Sequence, residues 1–396
     1  MSNGIGRRSF LQLLGMGLGQ AATLVQVANA EDRLSLERFR EAERAAIEKH
    51  VAEFMDAYEV PGVSVAMARY GRLQLAAGFG WADRDAEIPV EPRHQFRIAS
   101  VSKPITSMMI FRLIEDGQLQ LTDRPFAEER LLASLLDELE LPDEKRTQIQ
   151  AIQIQHLLEH TSGGWGNKVH DPMFTWEALH LDHRELIRYT LETFPLLDEP
   201  GTTFRYSNFG YCVLGRVIEA VTTISYEQAV RKHLLQPAGV EQMTLGGRRK
   251  AERKPEEVCY YGQKGQKESP YARLMHVTRM DAHGGWIASP SQLVRLMLHV
   301  DGFDEPKDLL TANSIATMTT PSEVEPSYAK GWNVNEAGNW WHIGSFNGGA
   351  GILVRTSDRF CWAILVNTRS HEPEFTSDLD RLGWKIRRAV KRWPEV

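Results

Sequence analysis

The pattern of apolar and polar positions divides the chain into strand-like ends and a helix-rich middle. A charged helical pattern runs from about Leu36 to Tyr58, and Pro61 breaks it. Val63, Val65 and Met67 then alternate with smaller residues, Tyr70-Gly71 reads as a turn, and Leu73 to Trp81 completes a β-hairpin. From Ser100 to about Ala282 the predicted elements are mostly helical: Met108 to Asp116 closed by Gly117, Glu128 to Leu141, Ile152 to Glu159, Trp176 to Thr193, Tyr211 to Thr222 and Tyr226 to Leu235. Strand-like runs return at Tyr328 to Val334, Trp340 to Ile343, Gly351 to Thr356 and Phe360 to Asn367, and Ser377 to Arg392 closes the chain as an amphipathic helix.

Strands at both ends around a helical middle predict an α+β fold with one antiparallel sheet built from both chain ends and flanked by helices. On this reading residues 31–103 and 283–396 form an α/β domain, residues 104–282 a helical domain, and the active site lies between them. Gly246 to Tyr271 is the longest weakly structured stretch and is expected as an excursion loop or lid.

With 42% hydrophobic and 25% charged residues, the composition is that of a globular protein large enough for one big core or two packed lobes. The net charge of −6 leaves no footprint for nucleic acid. The basic run Arg248-Arg249-Lys250, followed by Glu256 and Glu257, reads as a solvated loop. Three scattered cysteines, Cys212, Cys259 and Cys361, set up neither a disulfide framework nor a zinc ribbon. Arg7-Arg8-Ser9-Phe10-Leu11, a modestly apolar run from Leu13 to Val27, and Ala28-Asn29-Ala30 resemble a twin-arginine export signal, so residues 1–30 are expected to direct export to the periplasm or beyond the cell. Nothing later is apolar enough to span a bilayer, and no stable membrane span is expected after signal cleavage.

Candidate chemistry centres on three stretches. In Phe96-Arg97-Ile98-Ala99-Ser100-Val101-Ser102-Lys103, Ser100 and Lys103 stand one turn apart on one face at the mouth of a helix. A lysine amine there can take the serine proton, and the unpaired N–H groups of a first helical turn favour developing negative charge. The second stretch, Phe204-Arg205-Tyr206-Ser207-Asn208-Phe209-Gly210, offers a phenol as proton shuttle and an amide to orient a carbonyl, with Ser207 or Asn208 also able to cap the following helix. In the third, Trp341-His342-Ile343-Gly344-Ser345-Phe346, the glycine lets a substrate approach the backbone, so that the Ser345 N–H can join the Ser100 N–H as an oxyanion hole. Trp332, Trp340 and Trp341 flank it, as an apolar wall or as core.

Taken together, in this order and at these separations, the three stretches resemble the serine β-lactamase and penicillin-binding protein superfamily, specifically its class C type, which includes carboxylesterases and D-amino-acid peptidases. Gly78-Phe79-Gly80, His156-Leu157-Leu158-Glu159-His160-Thr161-Ser162-Gly163 and Gly284-Gly285-Trp286 point the same way, and the resemblance covers roughly residues 45 to 370. It implies Ser100 as acyl-accepting nucleophile, Lys103 and Tyr206 sharing the work of general base and acid, Asn208, His342 and Gly344 on the substrate, and the backbone of Ser100 and Ser345 around the oxyanion. It also implies a small-molecule or peptide acyl substrate and no cofactor. Which of Lys103 and Tyr206 is the base stays open, because their protonation is coupled. His342 departs from the lysine of many relatives; a largely neutral imidazole grips a carboxylate less well, which favours esterase-like chemistry over β-lactam hydrolysis.

Two rival readings accompany this one. His156, Glu159 and His160 fit the H-x-x-E-H pattern of a zinc peptidase. A cell-wall or ligand-binding module that kept the fold and lost turnover is the non-enzymatic alternative.

Overall fold

The computed structural model describes residues 35–168, 171–263, 266, 269–271 and 276–394. The expected export segment, residues 1–30, lies outside the described residues. After helix α1 (Glu41–Ala57) come the hairpin strands β1 (Gly62–Arg69) and β2 (Arg72–Asp83) and the short strands β3 (Ile88–Pro89) and β4 (Phe96–Arg97). The helical middle contains α2 (Ser102–Glu115), α3 (Ser134–Asp137), α4 (Asp143–Ala151), α5 (Ile154–Leu158), α6 (His183–Thr193), α7 (Asn208–Thr222) and α8 (Tyr226–Val230), followed by strands β5 (Thr244–Leu245) and β6 (Trp286–Ala288). Helices α9 (Pro290–Leu298) and α10 (Ala312–Thr319), strands β7 (Asn333–Val334), β8 (Trp340–Phe346), β9 (Gly349–Arg355) and β10 (Phe360–Val366), and helix α11 (Phe375–Ala389) complete the chain. No described helix is long and apolar enough to cross a membrane.

The main sheet has seven antiparallel strands in the order β3-β2-β1-β10-β9-β8-β7, so the two chain ends meet at its centre. Val65 opposes Ile364, and Met67 opposes Trp362. Strand side chains alternate between faces, and here both faces are apolar. Val63, Val65, Met67, Trp362 and Ile364 pack with Ile47, Val51 and Phe54 of α1 and Leu379, Leu382 and Ile386 of α11. The intervening Ala66, Ala68, Ala363 and Leu365 join Leu293 and Met297 of α9 in a core that runs unbroken through α2, α5, α6 and α7. Helix α2 runs across the expected domain boundary at 103/104, and this continuous core carries the sheet and the helical half together.

Some elements differ from expectation. Glu128 to Leu141 forms turns and the single helical turn α3, because Glu129 takes a positive φ of 57° and the Leu136 and Leu139 carbonyls accept from Arg146 instead of from a continuing helix. Trp176 to Thr193 is helical only from His183, where the Asp182 carboxylate accepts from the Glu185 N–H. Tyr328 to Val334 contributes only β7, since Ala329 to Gly331 turns to bring Lys330 onto Glu159. Helices α4, α9 and α10 were not anticipated. Two of them start at side-chain caps, Ser289 on Gln292 and Thr311 on Ser314.

Described residues of the stretch from Gly246 to Tyr271 are tied to Arg97. The buried Arg97 guanidinium donates to Gly247 O at 2.9 Å and Pro270 O at 3.0 Å, while Tyr260 donates to Glu257 and accepts from the Arg97 N–H. Both ends of the excursion are thus fastened to the residue three positions before Ser100. Cys212, Cys259 and Cys361 are all free and buried. Trp332 and Trp340 stack edge to face within the core, and neither lines the cleft.

Candidate active site

The Ser100 turn begins with a strained backbone: Ala99 has φ +47°, the left-handed region that costs a non-glycine residue about 1–3 kcal/mol. A 3-10 turn (Ala99–Val101) then feeds α2, which brings Lys103 back under Ser100. Strand β8 presses on this turn from the sheet side. A Cβ on Gly344 would lie 2.1 Å from Ile98 O and 2.9 Å from the Ser100 nitrogen, so only glycine fits. That close approach sets the Ser100 N–H beside the backbone of Gly344 and Ser345, as an oxyanion pair requires.

Lys103 is fully buried. Its Nζ donates to Ser100 Oγ at 3.0 Å, Asn208 Oδ1 at 2.7 Å and His283 O at 3.1 Å. Burial draws its pKa from the ordinary lysine range down to about 7, opposed by the negative charge of Asp171. The amine also lies 4.7 Å from the centre of the Tyr206 ring. Enclosure by protein pushes the Tyr206 phenol well up, against a smaller opposing effect of the nearby Ser100 side chain. Ser207 is the residue that caps α7, accepting from the Gly210 N–H at 3.0 Å. Capping leaves Asn208 free to point at Lys103.

A cavity of about 360 Å³ opens over these groups, lined by Ser100, Asn208 and Ser345 together with Asn167, Phe174, His283, Asn347 and Arg369. Among the described residues of this lining, Arg369 is the charged one. Ser100, Lys103, Tyr206, Asn208, Gly344 and Ser345 are therefore brought together. His342 is not part of the cleft.

Instead His342 is 2% exposed and sits in a hydrogen-bond chain beneath the site. The Ser207 N–H donates to His160 Nδ1 at 3.1 Å, which leaves His160 Nε2–H to donate to the Tyr328 hydroxyl at 3.1 Å. Tyr328 then donates to His342 Nε2 at 3.2 Å, and His342 Nδ1–H donates to Ile343 O at 2.8 Å. Each ring nitrogen has one role, so both histidines are neutral. Burial, reinforced by the charge on Lys103, holds His342 down to about 3 and His160 well below its ordinary value. A substrate carboxylate gains no cation from His342.

The same chain of bonds overturns the zinc reading. Helix α5 ends at Leu158 and His160 has φ +61°, so His156 and His160 do not share a helix face. His156 Nδ1 accepts from the Gln153 N–H, and Glu159 is ion-paired with Lys330 at 2.6 Å and accepts from Ser322. No cluster of three or more His, Cys, Asp or Glu among the described residues is placed to hold a metal ion.

Asp171, Tyr328 and Arg369 were missed in the sequence. Asp171 carries only the ordinary look of a residue capping a short turn before Pro172, and nothing local marks the others.

A seven-stranded antiparallel sheet with helices on both faces, and a serine–lysine turn held between sheet and helices, define a protein of the β-lactamase/transpeptidase fold. The chain belongs to the beta-lactamase family, whose family model matches residues 47–383. Protein flp of Staphylococcus aureus strain MW2 is 24% identical over 319 residues, covering 78% of this chain and 60% of the relative. An uncharacterized protein of Mycobacterium tuberculosis (strain CDC 1551 / Oshkosh) is 27% identical over 281 residues, 68% of this chain and 70% of that protein. This chain thus spans only about 60% of the staphylococcal relative's length. Among solved structures, the D-amino acid amidase from Ochrobactrum anthropi SV3 complexed with L-phenylalanine amide superposes with a TM-score of 0.68 at 20% identity, covering 88% of this chain and 97% of that one. EstCE1, described as a hydrolase with promiscuous acyltransferase activity, gives 0.69 at 21% identity, with 89% and 99% covered.

Proposed function

We propose that this chain is an exported serine hydrolase that cleaves an ester or amide through an acyl-enzyme at Ser100. The observation that carries the reading is the buried Lys103 amine, 3.0 Å from Ser100 Oγ and drawn to a pKa of about 7. A lysine so placed is half deprotonated near neutral pH and can act as a base. Tyr206, pushed up by burial, keeps its proton and is poorly suited to start the reaction. These two properties support Lys103 as the base and Tyr206 as the donor.

Neutral Lys103 takes the Ser100 proton while Oγ attacks the substrate carbonyl carbon. The oxyanion is held by the Ser100 and Ser345 N–H groups. The leaving oxygen or nitrogen departs with a proton relayed through Tyr206, giving the Ser100 ester. Water then attacks that ester, the same groups move its proton, and the acid is released. Family membership and solved relatives described as an amidase and a hydrolase support this chemistry at the level of ester or amide.

The test is a stopped-flow assay of the protein with a chromogenic acyl ester, beside Ser100→Ala and Lys103→Ala. A burst and turnover lost in Ser100→Ala, with Lys103→Ala down by about a hundredfold or more, support the reading. A Ser100-dependent burst without turnover indicates the binding module. Covalent labelling that persists in Ser100→Ala overturns the nucleophile. For export, Arg7→Lys with Arg8→Lys is expected to leave the protein in the cytoplasm, measured by cell fractionation.

A further inference from the structure

An asparagine amide presents an oxygen at one end and two N–H groups at the other, in nearly the same shape, so its sense is fixed only by its partners. Asn208 has its oxygen on the Lys103 amine at 2.7 Å. At its other end, Nδ2 donates to Asp171 Oδ2 at 2.9 Å. Asp171 is itself tied down, with Oδ1 accepting the Met173 N–H at 3.0 Å as the cap of the 3-10 turn Pro172–Phe174. The Asn208 N–H donates to Asn167 Oδ1 at 3.2 Å, which fixes the backbone as well.

We propose that Asp171 is a positioning residue for the reaction at Ser100: by accepting the Asn208 amide N–H it locks the amide oxygen onto Lys103 and sets the charge that Lys103 feels. The inference rests on the reading of Ser100 as nucleophile and Lys103 as base. A flipped amide would set N–H groups against the Lys103 donors and an oxygen against the Asp171 carboxylate, two mismatches at once. An ionised carboxylate accepts and cannot donate, which makes it a one-way latch.

The electrostatic part follows from what surrounds the amine. Tyr206, Tyr211, His160, His283 and His342 face it from the neighbouring elements, and burial keeps all five neutral. Among the described residues, Asp171 is the charged group whose field reaches Lys103, and it favours the ammonium form. Burial pushes the Asp171 carboxyl up, while the Asn208 and Met173 N–H groups pull it back toward the ionised form. Removing the negative charge lets burial lower Lys103 further. Its base form would then persist to lower pH.

The experiment compares Asp171→Asn and Asp171→Ala with the unaltered protein on a chromogenic ester, recording kcat, KM and kcat/KM against pH. Asp171→Asn keeps an acceptor for Asn208 and removes the charge, so the acid limb of kcat/KM is expected to move to lower pH with kcat within about fivefold of the starting value. Asp171→Ala removes the latch, and kcat is expected to fall about ten- to a hundredfold with KM little changed. In an Asn208→Ala background, Asp171→Ala is expected to cost little more, because both act through one amide. An acid limb that stays in place in Asp171→Asn overturns the electrostatic role. A loss that adds in full to that of Asn208→Ala overturns the positioning role. Loss of folded protein in Asp171→Ala alone leaves Asp171→Asn to decide. Absence of a Ser100-dependent burst in the unaltered protein, by contrast, overturns the underlying assignment and this inference with it, an outcome distinct from a burst that the Asp171 variants leave unaltered.

Discussion

Lys103 sets the pH behaviour expected of the site. Its ammonium form cannot accept the Ser100 proton, so kcat/KM should be low in acid, rise as pH passes about 7, and level off once the amine is neutral. Tyr206, raised by burial, stays protonated over that plateau. A rate profile with a limb in the ordinary carboxylate range would point to a different base. Arg369 makes a second prediction at this scale, because it is the charged residue among the described lining of the cleft while His342 is neutral. Arg369→Ala is expected to raise KM about tenfold or more for an ester bearing a carboxylate and to leave a neutral ester nearly unchanged. Ser100, Lys103, Tyr206 and Asn208 were legible in the sequence because each sits in a short motif whose spacing is itself the chemistry. Asp171 was not, since 37 residues separate it from Asn208 and only folding brings them within 2.9 Å. His342 was misleading for the reverse reason: its motif suggests a substrate contact, while burial gives the ring to Tyr328 and Ile343.

At the level of elements, the site depends on strand β8 lying directly on the Ser100 turn. Gly344→Ala would drive a methyl group into Ile98 O and the Ser100 nitrogen. It is expected to destabilise the fold by about 1–3 kcal/mol and to abolish the burst, checked by thermal unfolding and stopped flow. Tyr328→Phe removes the middle of the chain between His160 and His342, leaving one buried donor and one buried acceptor unpaired. The expected cost is about 1–3 kcal/mol in urea unfolding, with the rate of Ser100 acylation changed less than tenfold. Hairpin β1–β2, helix α7 and the last three strands were readable from alternation and glycine punctuation. Helix α3 and strand β7 fell short of their patterns because tertiary partners, Arg146 on two carbonyls and Glu159 on Lys330, outcompeted local propensity. Helix α4, with one buried apolar residue, has almost no periodic signal to read.

For the whole molecule, the sheet built from both chain ends followed from strand runs at the two extremes, whereas the joining of sheet and helices in one core did not. Periodicity reports which side of an element is apolar, not which partner covers it. The central strands β1 and β10 pair Val63 with Val366 and Arg69 with Phe360, contacts between residues about 300 positions apart. Such a pairing closes a very long loop, and loop closure must precede the stabilisation it brings. During synthesis, strand β1 and its hairpin partner β2 emerge early with one long edge unpaired, and that edge waits for nearly the entire chain. The nascent protein therefore passes through a long interval in which an apolar strand is available to any passing edge, and its yield is expected to depend on chaperones that shield the first hairpin until the last strand arrives.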